Sequence, residues 1–139
     1  MCVSDALRRD DQGRPTISVP VRVRYAECDP QGVAHHSVYA VWLELARTEL
    51  LRAMGIDYKA VEASGLFCVV ARMSLRYRKP VGYDDEIAVG CTAVKTRGIK
   101  IEHAYELRRG GDVVATAETT LVCVDGDGAV RPVPEAWSV

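Results

Sequence analysis

Apolar and polar positions alternate one for one in the first patterned stretch. Val19, Val21, Val23 and Tyr25 fall on one side, Arg22 and Arg24 on the other. A period of two predicts a half-buried strand. The pattern breaks at Cys28-Asp29-Pro30, where proline cannot donate to a ladder, and Gly32 lets the backbone turn. From about His36 to Met54 the period changes to that of a helix. Val38, Tyr39, Val41, Trp42, Leu43, Leu45, Ala46, Leu50 and Ala53 cover a very wide arc, with Glu44, Arg47, Thr48 and Leu51 on the remainder. Such an arc exceeds the stripe of a surface helix and predicts a helix wrapped by a sheet. Gly55 is a natural stop. Glu49 falls inside the apolar arc and therefore needs a partner.

After a loosely helical connection from Tyr58 to Ser64, the chain reads as strand up to about residue 124. Phe67, Val69, Ala71, Met73, Leu75 and Tyr77 alternate against Cys68, Val70, Arg72, Ser74, Arg76 and Arg78, up to Lys79-Pro80-Val81-Gly82. A second run spans Glu86 to Lys95 and turns at Thr96-Arg97-Gly98. A third puts Ile99, Ile101, His103, Tyr105 and Leu107 on one face. Arg109-Gly110-Gly111-Asp112 then signals a hairpin into a fourth run, Val113 to Asp125. One strand, a long buried helix and four successive antiparallel strands make an α+β layout. Residues 1–16 show no sustained period and read as a flexible leader; residues 17–139 read as one domain. The tail, with Pro132 and Pro134, is expected to lack regular structure.

Composition narrows the partners. The 139 residues carry 18 Lys and Arg against 19 Asp and Glu, a net charge of −1, so bulk attraction to nucleic acid or an anionic membrane is not expected. Aromatic residues at 6% are too sparse for base-stacking platforms. No apolar run is long enough to span a membrane. Five cysteines without a close pair read as reduced thiols in a cytoplasmic protein.

Candidate chemistry gathers in the turn before the helix, which holds Cys28, Asp29, His35 and His36. Helix N-termini present unpaired N–H groups and favour negative charge, so a carboxylate beside one can work on a carbonyl whose oxygen becomes anionic. Asp29 fits that role as nucleophile or general base, although Asp-Pro is also a common turn opening. Of the adjacent histidines one faces solvent; the other lines the site or serves in packing. His103 on an apolar strand face reads as a satisfied core histidine. The spacing of Cys28, Asp29 and the histidines matches no compact zinc signature, so no metal is expected. Cys28 as nucleophile lacks an orienting third residue. Glu44 and Glu49 are reserve catalytic carboxylates, more simply read as salt-bridge partners. Arg97, at a turn, belongs to a basic set that reads most simply as a solvated sheet face.

The chain resembles the 4-hydroxybenzoyl-CoA thioesterase-like family of hotdog-fold acyl-CoA thioesterases. The resemblance rests on Tyr25-Ala26-Glu27-Cys28-Asp29-Pro30-Gln31-Gly32-Val33 with Tyr39, on Trp42-Leu43-Glu44-Leu45-Ala46-Arg47-Thr48-Glu49, on Met73-Ser74-Leu75-Arg76-Tyr77-Arg78-Lys79-Pro80, on the Arg97-Gly98 turn and on Leu121-Val122-Cys123-Val124-Asp125. Ala46-Arg47-Thr48-Glu49 is similar to the Tol-Pal-associated short-chain subfamily, Cys28-Asp29-Pro30 to the 4-hydroxybenzoyl enzyme. The resemblance implies a five-stranded antiparallel sheet around one long central helix, and a homodimer or homotetramer with active sites at the dimer interface. It implies that Asp29 attacks an acyl-CoA thioester or activates water, while the N–H of His36 holds the carbonyl oxygen. Gly32, Tyr39, Arg97 and Lys100 fall in the implied substrate-binding set. Coenzyme A belongs to the substrate, so no separate cofactor is implied. Two rival readings are a hotdog enoyl-thioester hydratase or dehydratase and a non-catalytic acyl-thioester binding module. The first resembles enzymes with a His five residues after the Asp, a position held here by Ala34.

Overall fold

The computed structural model describes residues 6–139. Strands β1 (Arg8–Arg9) and β2 (Pro15–Arg22) precede helix α1 (Val38–Ala53) and the short α2 (Tyr58–Ala63). Strands β3 (Phe67–Tyr77), β4 (Glu86–Arg97), β5 (Lys100–Arg109), β6 (Asp112–Val124) and β7 (Val130–Arg131) complete the chain. They form one antiparallel sheet in the order β1-β2-β4-β5-β6-β3, with β7 on β6. The sheet thus has seven strands rather than the five expected, because two-residue strands at either end of the chain add to the five long ones. Of the segment expected to be a flexible leader, residues 1–5 lie outside the described residues. The remainder is paired: Arg8 and Arg9 fold back on Thr16 and Pro15 through a turn held by Asp10.

Helix α1 packs on β2 and β4. Its buried residues, Tyr39, Trp42, Leu43, Ala46, Arg47, Leu50 and Ala53, recur at three and four positions, the stripe of a one-sided helix. The buried arc is narrower than expected, since Val41 is 59% and Leu45 41% exposed. Arg47, expected on the polar side, is buried and donates to the Tyr105 hydroxyl at 3.1 Å; that hydroxyl also lies 2.7 Å from Thr119 Oγ1. Glu49 pairs with Arg52 through one oxygen, while the other is buried without a partner. His103 is not the satisfied core histidine expected: its Nδ1 is buried and unbonded.

The tail is ordered, against expectation. Val133 donates its N–H to the Gly98 carbonyl, and Trp137 inserts into a second apolar cluster with Ile101, Leu121 and Cys123. At that end β4 and β5 are joined by a two-residue loop. Gly98 adopts φ 68° there, the left-handed conformation such a tight hairpin demands at its first loop position.

Strand β3 forms one edge of the sheet and differs in phase from simple alternation. A bulge between Val70 and Arg72 inserts Ala71. Cys68, Val70, Met73, Leu75 and Tyr77 consequently stand opposite Cys123, Leu121, Thr119, Ala117 and Ala115, all buried residues of β6. These five residues therefore form the helix-facing side of β3, yet Val70, Met73 and Tyr77 are 49%, 45% and 48% exposed. Together with Val41 and Leu45 they leave an open apolar surface beside the helix.

Candidate active site

The segment between β2 and α1 folds back on itself. Tyr25–Glu27 forms one 3-10 turn, then isolated bridges pair Cys28 with Ala34 and Val33 with Gly82. At the tip, Asp29 accepts the Gly32 N–H on its carbonyl and donates its own N–H to Val33. Gly32, at φ 82°, allows this reversal. One Asp29 carboxylate oxygen accepts the Gln31 N–H at 2.8 Å, which fixes the side chain in an Asx turn. Its second oxygen has no hydrogen-bond partner among the described residues.

The approach to α1 is shaped by His35, whose Nδ1 accepts the Ser37 N–H and lies 2.7 Å from Ser37 Oγ. With Val38 donating to the His35 carbonyl, this tight turn delays the helix from the expected His36 to Val38. The His36 N–H has no hydrogen-bond partner among the described residues. Its carbonyl instead accepts the Tyr77 hydroxyl at 2.8 Å, which holds the following peptide unit. The His36 ring is exposed and stacks on His35 with centroids 4.0 Å apart. No acidic side chain occupies the first turn of α1, so the positive end of the helix is not neutralised locally.

Asp29, His36 and Tyr39 line a single cleft of about 330 Å³, closed by Val33, Ala34, Tyr77 and the Arg78-Lys79-Pro80 segment. Tyr39 is buried and its ring meets Tyr77 edge-on at 4.9 Å. Burial raises the pKa of the Tyr39 phenol and keeps it protonated. A larger groove of about 720 Å³ crosses the outer face of the sheet, but its only carboxylate, Glu106, is paired with Arg108. The cleft therefore brings the half-buried carboxylate of Asp29, a free amide and a helix N-terminus together.

Other candidates lie elsewhere. Arg97 and Lys100 close the β4–β5 hairpin, whereas the Asp29 loop contacts the opposite end of β4 through Gly82 and Asp85. Twelve residues of β4 separate the two ends, roughly 35 Å of strand before curvature. Glu44 is exposed at the margin of Arg47, and Cys28 makes only a long sulfur contact to the Arg24 carbonyl. Among the described residues no three His, Cys, Asp or Glu side chains are placed to hold a metal. Two site residues went unremarked in the sequence. Tyr77 ends a strand, and its phenol direction depends on the bulge upstream. Glu27 is 7% exposed in spite of its charge; it accepts the Arg24 N–H at 2.7 Å and the Trp42 indole N–H at 3.0 Å. Burial raises its pKa, but these bonds and the Arg24 guanidinium outweigh that and leave it lowered.

The chain matches the thioesterase-like superfamily over residues 23–138. It is 31% identical to the putative acyl-CoA thioesterase YneP of Bacillus subtilis, across 76% of this chain and 77% of that protein. It is 32% identical to the acyl-CoA thioester hydrolase YbgC of Escherichia coli O6:H1, across 76% of this chain and 80% of that one. The crystal structure of DHNA-CoA thioesterase from Staphylococcus aureus superposes with a TM-score of 0.82 at 27% identity, covering 84% of this chain and 80% of that one. The match over residues 23–138, the identity to these acyl-CoA thioesterases and the shared sheet-and-helix fold place the chain in the thioesterase-like superfamily as a hotdog-fold thioester hydrolase.

Proposed function

We propose that this chain hydrolyses acyl-CoA thioesters in the Asp29 cleft. One observation carries the reading: Asp29, with one carboxylate oxygen unbonded, and His36, with its N–H unbonded, line the same cleft at the start of α1. The thioester carbonyl oxygen lies on the His36 amide, and negative charge that builds there is met by that donor and the helix dipole. One such donor contributes about 3–4 kcal/mol to the transition state. Asp29 supplies the attacking electron pair, directly or by deprotonating a water. The carbon–sulfur bond then breaks and the coenzyme A thiolate takes up a proton, from Asp29 where it acted as base or from solvent where it attacked. In the direct route water then cleaves the acyl–Asp29 anhydride, and by either route the acyl group leaves as carboxylate. No step requires a metal or a further cofactor.

The site works as half of a pair. β3 bonds to β6 on one side only, so its other edge and the apolar surface of Val70, Met73, Tyr77, Val41 and Leu45 stand open. A second copy laid antiparallel along β3, in the twofold arrangement common to homodimers, covers both. Lys100 stands across Val122 from Val69, near the Phe67 end of β3. Antiparallel pairing brings that end against the partner's Tyr77 end. Each copy's Arg97 and Lys100 then stand about three strand spacings, roughly 15 Å, from the other's Asp29 cleft. That is where the coenzyme A phosphates are held. Five cysteines with no close pair in the sequence support a reducing, cytoplasmic setting.

Release of free thiol from short, long and aromatic acyl-CoAs tests the activity. Asp29→Asn lowers turnover by about a hundredfold or more with cooperative unfolding retained. Undiminished turnover in that variant overturns the assignment of Asp29. Tight binding without thiol release from any of these substrates would instead identify a binding module.

A further inference from the structure

Glu27 does not line the cleft and is 7% exposed, yet it bonds to both segments that carry the reacting groups. Its carboxylate accepts the indole N–H of Trp42, one turn into α1, at 3.0 Å. The other oxygen accepts the Arg24 N–H at 2.7 Å, at the start of the 3-10 turn. Its main-chain carbonyl accepts the His35 N–H at 2.8 Å. Asp29 lies two residues beyond Glu27, and the free His36 N–H directly follows the amide that Glu27 holds. One residue therefore joins the start of the loop, its end and the helix.

Stability alone is a poor reason for this choice, because a buried carboxylate is often matched or bettered by a well-packed apolar group. What an apolar group cannot do is fix direction. It would leave the Trp42 and Arg24 donors orphaned and the loop free to shift on the helix. Displacements of about 1 Å between a reacting group and its oxyanion donor cost roughly a hundredfold in rate.

We infer that Glu27 is a positioning residue, which sets the separation of the Asp29 carboxylate from the His36 amide by clamping their loop to Trp42. This rests on the reading of Asp29 and His36 given above.

The measurements are kcat and KM for thioester hydrolysis, with thermal unfolding, in Glu27→Ala, Glu27→Gln, Trp42→Phe and the Glu27→Ala/Trp42→Phe double variant, beside Asp29→Asn. Glu27→Ala lowers kcat by about thirtyfold or more and leaves KM within about threefold, since the binding surface is untouched. Glu27→Gln keeps one acceptor, for Trp42 or for the Arg24 N–H but not for both, and recovers part of the loss. Trp42→Phe, which removes the indole donor and keeps an aromatic ring, also lowers kcat. The double variant is no slower than Glu27→Ala, because both changes break one connection. A folded Glu27→Ala with full kcat beside an inactive Asp29→Asn removes this inference alone. The same holds if the loss appears in KM, or if Trp42→Phe lowers the melting temperature and spares kcat. Should Glu27→Ala not fold, full kcat in both Glu27→Gln and Trp42→Phe overturns it. Turnover surviving in Asp29→Asn removes the functional reading and this inference with it.

Discussion

His103 stands on the helix-facing side of β5, 4% exposed, with Nδ1 unbonded among buried neighbours. Burial and then the Arg47 guanidinium push its pKa down to about 3. The neutral Tyr105 and Thr119 stand beside it, and Arg72, Glu102 and Glu118 line the same small cavity. In the unfolded chain the imidazole takes a proton near pH 6.5, but in the folded chain it stays neutral until about pH 3. The unfolded state therefore binds more protons between these values, and stability falls as the pH drops through that window. The slope is about 1.4 kcal/mol per pH unit once the pH lies well below 6.5. Glu27 and Asp85, whose pKa values are lowered, keep their contribution above their unfolded values near pH 4 and lose it only below. Between pH 6.5 and 5 the histidine acts without them. His103→Leu is expected to flatten the decline of the urea midpoint over that window and to leave stability at pH 7 little changed. Parallel slopes in variant and parent would show that protonation of His103 does not limit the fold.

At the level of elements, the long helix, the strand succession and the Asp29 turn were legible because each is encoded locally, by period or by turn chemistry. What escaped depends on partners. The phase of β3 is set by its ladder with β6: Phe67, Val69 and Met73 alternate in sequence, but the extra residue Ala71 puts Val70 rather than Val69 on the side of Met73. The burial of Arg47 needs Tyr105, fifty-eight residues away. Trp137 orders the tail only because the second apolar cluster and the Gly98 carbonyl receive it. The free amide of His36 was implied only by resemblance, and its freedom follows from a turn two residues longer than expected. The corrected phase of β3 carries a consequence for assembly. Val70 and Met73 lie on the surface assigned to the second copy; already about half covered, at 49% and 45% exposed, each contributes about 1 kcal/mol when the rest is covered. The double substitution Val70→Lys and Met73→Lys is expected to raise the dimer dissociation constant by about a hundredfold or more, read by sedimentation. Turnover should fall in step with the dimer fraction. A variant that stays dimeric at the parent's dilution would place the interface elsewhere.

Taken as a whole, one chain holds the two halves of the proposed site at opposite ends of β4, with Asp29 at the Glu86 end and Arg97 and Lys100 at the other. No bending of a paired strand closes a gap of that length, so a bound acyl-CoA that meets both must cross between copies. The consequence is testable with two inactive proteins. One copy carries Asp29→Asn; the other carries Arg97→Ala and Lys100→Ala. Mixed after mild dissociation and reassembly, they form dimers in which one site joins the intact Asp29 of the second copy to the intact basic residues of the first. The other site in the same dimer has neither. At low substrate concentration, where loss of the phosphate grip slows the second protein, activity should rise on mixing to about a quarter of the parent's, because random pairing makes half the dimers mixed and half their sites intact. If each site were built within one chain, every site in the mixture would carry a defect and the rate would remain the average of the two inactive proteins.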